Sequence, residues 1–203
     1  DIKPTRSELI KLKGRIKQTK NGYKLLNMKR DGLFHEFRQL LAEMIEAKRE
    51  ITEAFRLAKQ RIDLANAIEG GLAVRAAAIA NSAHPEVEVE RRNIMGVVVP
   101  SVSGTNLKST FAERGVGFIG SSPYIDEASD SFSELIEKMV TAAEMEATLK
   151  RLLEEIEATK RRVNALEFKV IPELEEAKVF IQLRLEEMER EEGSRHRDGR
   201  HEW

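Results

Sequence analysis

The 203-residue chain contains no cysteine, and aromatic residues make up only 5% of it. The absence of thiols excludes a disulfide framework, a thiolate metal site and a cysteine nucleophile. No apolar run approaches the roughly 18 to 20 residues that span a bilayer, and the N-terminus lacks the basic-then-apolar pattern of a signal peptide. We therefore expect a cytoplasmic protein with no direct membrane insertion.

The charge balance is nearly even, with 34 Lys and Arg against 35 Asp and Glu and a formal net charge of −1. A chain with this balance has no general attraction for nucleic acid or for anionic membranes. Charged residues nevertheless make up 34% of the sequence. Such a composition is typical of long helices with charged outer faces rather than of a thick globular core.

Heptad periodicity dominates the N-terminal third. Steps of four and three residues fall on apolar side chains except at Thr19 and Arg30. The seam continues through Asn21-Gly22 and Asp31-Gly32, where local rules alone would predict hairpin turns. The pattern predicts one helix from about Thr5 to Ile68, stopped by Gly70-Gly71. The seam positions are Leu12, Ile16, Thr19, Tyr23, Leu26, Arg30, Leu33, Phe37, Leu40, Met44, Ala47, Ile51, Ala54 and Ala58.

The C-terminal third shows a similar seam. It begins near Ser122-Pro123 or between Ser129 and Ser133, and Gly193 is the expected stop. Polar residues interrupt it at Glu146, Lys160, Glu167 and Arg184. The apolar positions are Phe132, Leu135, Met139, Ala142, Leu149, Leu153, Ile156, Val163, Val170, Leu174, Ala177, Ile181 and Met188.

Charge placement favours an antiparallel pairing of these two helices. The first thirty residues carry ten bases against only Asp1 and Glu8, whereas residues 167–192 carry nine glutamates against four bases. An antiparallel pair places the basic start of the chain beside its acidic end, and a parallel homodimer would stack like charges. The candidate basic surface consists of Lys11, Lys13, Arg15, Lys17, Lys20 and Lys24.

The middle of the chain differs in kind. Residues 71–81 form an alanine-rich segment that predicts a short helix, and residues 86–99 read as a β-hairpin. Pro100 is expected to end the second strand as an edge position, and residues 101–122 are expected to form a loop. The hairpin is too small to be stable alone, which suggests that it docks on a partner. Its candidate partner-binding residues are Glu86, Val87, Val89, Ile94, Val97 and Val99.

The expected fold class is therefore all-α dominated: a long antiparallel left-handed two-helix coiled coil with a small middle lobe that contains a short helix and a β-hairpin. Its segments are an N-terminal long helix over residues 5–69, the middle lobe over 70–123, a C-terminal long helix over 124–192 and a disordered tail over 193–203.

Two glycine-containing stretches resemble nucleotide-binding motifs but fail their tests. Residues 104–110 lack the glycine that must precede the lysine of a phosphate loop. Gly115, Gly117 and Gly120 match the dinucleotide fingerprint, but no βαβ unit surrounds them. The histidines also lack metal-binding spacing, apart from the pair His196 and His201 in the tail. We therefore predict no catalytic, cofactor-binding or metal-binding residue, and hence no enzyme activity for this chain alone.

The two ends of the sequence resemble a known family. Residues 4–33, PTRSELIKLKGRIKQTKNGYKLLNMKRDGL, and residues 164–192, NALEFKVIPELEEAKVFIQLRLEEMEREE, are similar to the terminal signatures of the D subunit of the archaeal A-type and vacuolar-type rotary ATPases. The segment MGVVVP at residues 95–100 is also similar. Gly14 and Gly32 depart from the family pattern, which has basic and acidic residues there.

The resemblance implies a central-stalk rotor shaft without an ATPase site. Its implied partners are the hexamer of catalytic A and B subunits, the small F subunit of the stalk and the adaptor of C or d type on the membrane ring. The implied location is the cytoplasmic face of the cell membrane, within a peripheral complex. Neither cofactor nor nucleic acid is implied. Pro172 lies inside the C-terminal helix, where it removes a hydrogen bond and is expected to bend the shaft.

Two other readings of the residues remain at this point. A cytosolic coiled-coil scaffold or chaperone-like protein would share the heptads and would self-associate through its own seam. A nucleic-acid-associated helical protein would use the basic N-terminal stretch, although Tyr23 is the only aromatic residue there for base stacking.

Overall fold

Five helical segments and one β-hairpin make up the chain in a computed structural model, which describes residues 5–80, 86–105 and 122–198. The elements in chain order are α1 (Arg6–Glu69), α2 (Gly71–Ala80), β1 (Glu86–Ile94), β2 (Val97–Thr105), α3 (Pro123–Ala165), a π-helical turn (Leu166–Val170) and α4 (Ile171–Asp198). The predicted fold class is confirmed. The glycine-containing motifs of residues 106–121 lie outside the described residues.

The boundaries of α1 follow from local capping chemistry. Thr5 is the N-cap, because its side-chain Oγ1 accepts a hydrogen bond of 3.2 Å from the backbone N–H of Glu8. At the other end Gly70 has a φ of +85°, and its N–H donates to the carbonyl of Asn66 at 3.1 Å. A left-handed residue of this kind ends a helix, and glycine adopts it without steric cost. The helix runs unbroken through both Asn-Gly and Asp-Gly pairs, as the heptad pattern predicted.

The chain divides into two compact units. The terminal unit contains Asp1–Leu33 and Glu155–Trp203, and the central unit contains Phe34–Glu154. In the terminal unit, ion pairs join Arg6 to Glu189 and Lys20 to Glu175. The partner numbers fall as the α1 numbers rise, so the two helical stretches of this unit are antiparallel.

The central unit repeats the antiparallel arrangement with its own contacts. Lys138 pairs with Glu50 at 2.9 Å, and Arg61 donates to the Ser131 hydroxyl. Its helical core is unusually rich in alanine, since Ala58 and Ala65 of α1 are fully buried and Ala128 of α3 is 1% exposed. Small seam residues of this kind allow two helices to approach closely.

The seam of α3 differs from the predicted one. Met139 and Leu153, expected inside, are 52% and 44% exposed, whereas Thr148, Leu152 and Thr159 are buried. The positions 148, 152 and 156 follow each other by four residues, so the strict alternation of three and four fails here. An unstrained helix has 3.6 residues per turn, and two consecutive steps of four rotate the buried stripe around it.

The strands of the hairpin are longer than expected. β1 and β2 pair antiparallel from Ile94 opposite Val97 outward to Glu86 opposite Thr105, so the prediction that Pro100 ends the strand was wrong. Ile94 and Val97 flank a two-residue turn and form a hydrogen-bonded pair. Pro100, opposite Arg91, therefore occupies a non-hydrogen-bonded position. Its missing N–H points away from β1 and costs the ladder nothing.

The C-terminal helix also extends further than predicted. α4 continues through Gly193 to Asp198, so the expected helix stop at Gly193 was wrong. A Cβ at Gly193 would meet nothing within 4 Å, and the φ of this residue lies outside the left-handed range. Glycine lowers helix propensity by only about 1 kcal/mol relative to alanine, so a single glycine does not by itself end a helix. Residues 199–203 of the predicted disordered tail lie outside the part of the chain that the structure describes.

Candidate partner-binding surfaces

The hairpin turn is set by two residues with positive φ. Met95 and Gly96 have φ values of 50° and 85°, and the Asn93 side-chain oxygen accepts a 2.7 Å hydrogen bond from the Gly96 N–H. Two successive positive φ values define the type I′ turn, whose twist matches that of the flanking strands. The short turn fixes the register and therefore decides which side chains share a face.

One face of the hairpin packs against the helices of the central unit. Val97 and Val99 are 8% and 2% exposed, and Ile94 is half-buried beside them. The space next to this face is lined by residues of all three elements: Gln39 and Leu40 of α1, Ile94 and Val99 of the hairpin, and Thr148 and Leu152 of α3. This packing explains how a two-stranded sheet is held in place.

The opposite face of the hairpin is apolar and exposed. Val89 and Val98 are 63% and 55% exposed, and Val87 is 45% exposed. These valines alternate with the inward-facing ones along the two strands, as the period of a strand requires. A sheet face of this composition is suited to burial against another surface.

The predicted hairpin residues thus divide between the two faces. Ile94, Val97 and Val99 face the helices, and Val87 and Val89 lie on the exposed face, where Val89 lines a groove together with Ala147 of α3. Glu86 is paired with Thr105 through its backbone, and its side chain lies outside the described part of the chain. The prediction missed Val98, although strict alternation within the Val97–Val99 run was the signal that could have found it.

Part of the basic stretch of α1 pairs with acidic residues of the facing helices, as expected. Lys20 donates to Glu175 of α4 at 2.7 Å, and this hydrogen bond lowers the pKa of the Glu175 carboxyl below its ordinary value of 4.5. Lys29 pairs with Glu155 of α3 at 2.8 Å in the same unit. Lys11 pairs within its own helix instead, with Glu8 three residues before it.

Four of the six predicted basic residues have no ion pair among the residues described. They are exposed and lie in the first two-fifths of α1: Lys13, Arg15, Lys17 and Lys24. Intramolecular charge pairing therefore accounts for part of the basic stretch only.

The outer side of α4 carries apolar residues at the same end of the chain. Val179 and Leu183 are 52% and 56% exposed and lie two residues on either side of Ile181, which is fully buried. Two residues correspond to about 200° around a helix, so both side chains point away from the seam. Phe180 is 52% exposed, and the Arg184 guanidinium lies 5.9 Å from its ring centroid.

Pro172 lies two residues after the π-helical turn, which ends at Val170. The N–H of Ile171 donates to the carbonyl of Leu166, a bond five residues long instead of four. Proline has no N–H to donate, and in a regular helix its ring clashes with the carbonyl four residues before it, here that of Phe168. A π turn widens the helix at this point, and Phe168 within it is 74% exposed. The sequence predicted a disturbance at Pro172 but not this form of it.

The short helix α2 is also an exposed apolar surface. It has no buried residue, and Leu72 and Ile79 are 84% and 86% exposed. Within residues 5–80, 86–105 and 122–198, no group of three or more His, Asp or Glu side chains could hold a metal ion. No helix in these ranges is both long enough and apolar enough to cross a bilayer.

Comparison with known proteins agrees with this architecture. The family model for the D subunit of ATP synthase matches residues 8–197, which is nearly the whole chain. The chain belongs to the ATP synthase D-subunit family. The A-type ATP synthase D subunit of Methanoregula boonei is 54% identical over 192 residues, covering 95% of this chain and 92% of the relative.

Other D-subunit sequences are similar over the same extent. The A-type ATP synthase D subunit of Methanosarcina mazei is 53% identical over 94% of this chain and 91% of its own length. That of Halobacterium salinarum is 48% identical over 95% of this chain and 86% of its own length. The family assignment covers both terminal signatures and the hairpin between them, and it favours the rotary-subunit reading over the scaffold and nucleic-acid readings.

Proposed function

We propose that this chain is the central-stalk rotor shaft of an A-type ATP synthase. In this role it couples ATP synthesis or hydrolysis in a catalytic hexamer mechanically to ion movement through a membrane ring. The observation that carries the proposal is the D-subunit family match over residues 8–197, in a chain whose α1 is 64 residues long.

A shaft must resist torsion and present different faces to its surroundings. Continuous helices held by interhelical packing and ion pairs support the first requirement. The second is supported by the uneven surface of the terminal unit, which has unpaired bases on α1, exposed apolar residues on α4 and a π turn beside Pro172. A uniform helix pair would present similar faces in every direction.

The chain contributes no catalytic group of its own in this proposal. Its partners are the hexamer of A and B subunits, the small F subunit of the stalk and the C- or d-type adaptor on the membrane ring. The unpaired bases Lys13, Arg15, Lys17 and Lys24 suit an acidic sleeve inside the hexamer. The complex lies at the cytoplasmic face of the cell membrane, and the chain reaches the membrane through its partners only.

Reconstitution tests the proposal directly. Complexes assembled with this chain should drive ATP-dependent ion uptake into vesicles, and complexes assembled without it should show no ATP-dependent uptake. Ion uptake and ATP hydrolysis are measured on the same samples. Coupled uptake in complexes that lack the chain would contradict the proposal.

The exposed face of the hairpin is the proposed contact for a stalk partner. Replacing Val87, Val89 and Val98 together by serine should weaken co-purification of the small F subunit or alter ATPase stimulation, because it removes apolar area that binding would bury. Circular dichroism should show that the helices are intact. Leu64→Ser, at a 47% exposed position of α1, is the control. Unchanged binding and activity in the triple variant would count against a hairpin contact.

Pro172 is proposed to influence how the upper end of the shaft meets the hexamer. Pro172→Ala restores an N–H donor at this position and should allow the π turn to revert to regular α-helix. The change of register should alter the rate of ATP hydrolysis or its coupling to ion transport in the reconstituted complex. The idea fails if the variant retains the wild-type rate and coupling ratio while amide exchange shows that the turn has changed.

A further inference from the structure

Within the central unit, α1 has two chemically opposite flanks on either side of its seam. All five glutamates of residues 34–60 lie on one flank, which also carries Gln39, Leu57 and Gln60. Arg49 and Arg56 border this flank and pair with its Glu46 and Glu53. The other flank, which we call the apolar flank, carries no acid. It consists of Phe34, Leu41, Ile45 and Phe55, interspersed with Arg38, Lys48, Thr52 and Lys59.

The acidic flank already has partners inside the chain. Glu36 and Glu43 line a cavity together with Arg92 of the hairpin, and Glu50 pairs with Lys138 of α3 at 2.9 Å. The hydrogen bond from Lys138 to Glu50 raises the pKa of Lys138 above its ordinary value. Hairpin packing and intramolecular charge pairing therefore account for this side of the unit.

The apolar flank is open to solvent. Phe34, Ile45 and Phe55 are 50%, 57% and 54% exposed, and Leu41 is 39% exposed. The four side chains recur at heptad-related spacings, which place them along one line of the helix. Isolated exposed apolar residues need no explanation, but a contiguous line of them marks an interaction surface.

α3 extends this surface on the same side of the unit. Its residues Glu134 and Lys138 line the groove along the acidic flank, whereas Ile136 lies two residues from each, or about 200° around the helix. Ile136 and Met139 are 41% and 52% exposed. Because they point away from the acidic groove, they border the apolar flank of α1.

The charges on the apolar flank identify the chemistry of its occupant. Arg38, Lys48 and Lys59 have no ion pair within the described ranges. Three unpaired bases beside a line of apolar side chains complement a segment with carboxylates beside its own apolar stripe. The surface extends from Phe34 to Phe55, about 30 Å along a helix.

We propose that the apolar flank of α1, with Ile136 and Met139 of α3, docks an amphipathic helix of a neighbouring protein of the complex, whose apolar stripe is bordered by Asp or Glu. A helix is favoured over a lipid surface because the exposed apolar side chains form one narrow line along α1, with bases between them and with Ile136 and Met139 of α3 beside it. A line of this kind matches the regularly spaced apolar anchors of another amphipathic helix. This surface is on the side away from the hairpin and is independent of hairpin docking.

Photo-crosslinking in the assembled complex tests the proposal. A benzophenone amino acid replaces Ile45, and in a matched control it replaces Leu57, which is 41% exposed on the acidic flank. The complex is irradiated, and the crosslinked peptide is identified by mass spectrometry. We expect position 45, but not position 57, to crosslink to a segment of another protein of the complex, with apolar residues three and four apart and acidic residues beside them.

Charge reversal provides the second readout. Arg38→Glu with Lys48→Glu should reduce the crosslink yield at position 45 by about threefold or more. The reason is that attraction between the bases of the apolar flank and the carboxylates of the docked helix becomes repulsion. Arg49→Glu with Arg56→Glu is the control, since these bases pair with Glu46 and Glu53 on their own helix. The control should leave the yield within about twofold of the wild type.

Several outcomes would overturn the proposal. The first is that position 45 fails to crosslink, or crosslinks only to this chain, to a second copy of it or to lipid. The second is that the crosslinked segment lacks acidic residues. The third is that charge reversal leaves the crosslink yield unchanged. Co-purification of the chain with the rest of the complex is measured in the same experiment. If the chain assembles into the complex but position 45 does not crosslink, the docking surface fails while the proposed rotor function stands.

Discussion

Replacing Gly14 and Gly22 by alanine should stiffen the first half of α1. Both residues lie inside the helix, and a Cβ at either position would meet nothing within 4 Å. Glycine is about 1 kcal/mol less favourable than alanine in a helix interior, so the double variant should gain about 2 kcal/mol of local stability. This gain corresponds to about a thirtyfold change in an opening equilibrium.

Amide hydrogen exchange on the full-length chain measures this gain. Exchange of the backbone amides in residues 11–26 should slow by about thirtyfold if the segment opens as one unit. Gly193→Ala, where a Cβ would also meet nothing within 4 Å, is the control and should leave exchange in α1 unchanged. Unchanged or faster exchange in residues 11–26 of the double variant would refute the reasoning. It would mean that the two glycines do not lower the local stability of α1.

Two further predictions concern the terminal unit. Ile181→Ala should lower the free energy of unfolding by about 2 to 5 kcal/mol in denaturant titrations, because the side chain is fully buried. Val179→Ala, at a 52% exposed position, should lower it by less than about 1 kcal/mol. Equal losses in the two variants would contradict the assignment of Ile181 to the seam. Glu175→Gln should destabilise the protein at neutral pH, because the Lys20 hydrogen bond lowers the pKa of Glu175 in the folded state. That difference should be fully present above pH 4.5, the ordinary pKa, and should shrink as the pH falls through the lowered pKa; a difference that is constant across this range would refute the assigned cause.

Long-range periodicity made the helical architecture predictable. The heptad seam outweighed two local turn signals in α1, because each glycine costs about 1 kcal/mol while a seam is supported at every turn by packing. The basic start and acidic end of the chain also predicted the antiparallel direction, which Arg6–Glu189 and Lys20–Glu175 confirm. A pattern that repeats over many residues therefore predicts the helix correctly even where single residues depart from it.

Details that depend on one residue's geometry were not predictable in the same way. The effect of Pro100 depended on which pairs of the ladder are hydrogen-bonded, and that alternation is set by the turn at Met95-Gly96. The seam of α3 moved onto Thr148 and Thr159 because its phase drifts away from 3.5 residues per turn. The π turn before Pro172 arises from a backbone rearrangement that side-chain patterns do not encode.

The surfaces were harder to predict than the fold. The sequence predicted a hairpin that docks on a partner, but strand alternation divides five of its six candidate residues between two faces, and one of these faces packs on the helices. The apolar flank of α1 was not identified from the sequence, where Leu41 and Phe55 lie outside the predicted seam but next to its positions Leu40 and Ala54. Exposure of such residues depends on how two helices face each other, which requires the tertiary structure.

The claim that this chain rotates is tested most directly by single-molecule observation. Because the sequence contains no cysteine, Ala76→Cys in exposed α2 provides a unique attachment point on this chain for an optical probe. The complex is fixed to a surface through its catalytic hexamer, and ATP is added. The account predicts continuous rotation of the probe in one direction, which stops when ATP is removed. A probe that stays fixed relative to the hexamer while the same complexes hydrolyse ATP would contradict it.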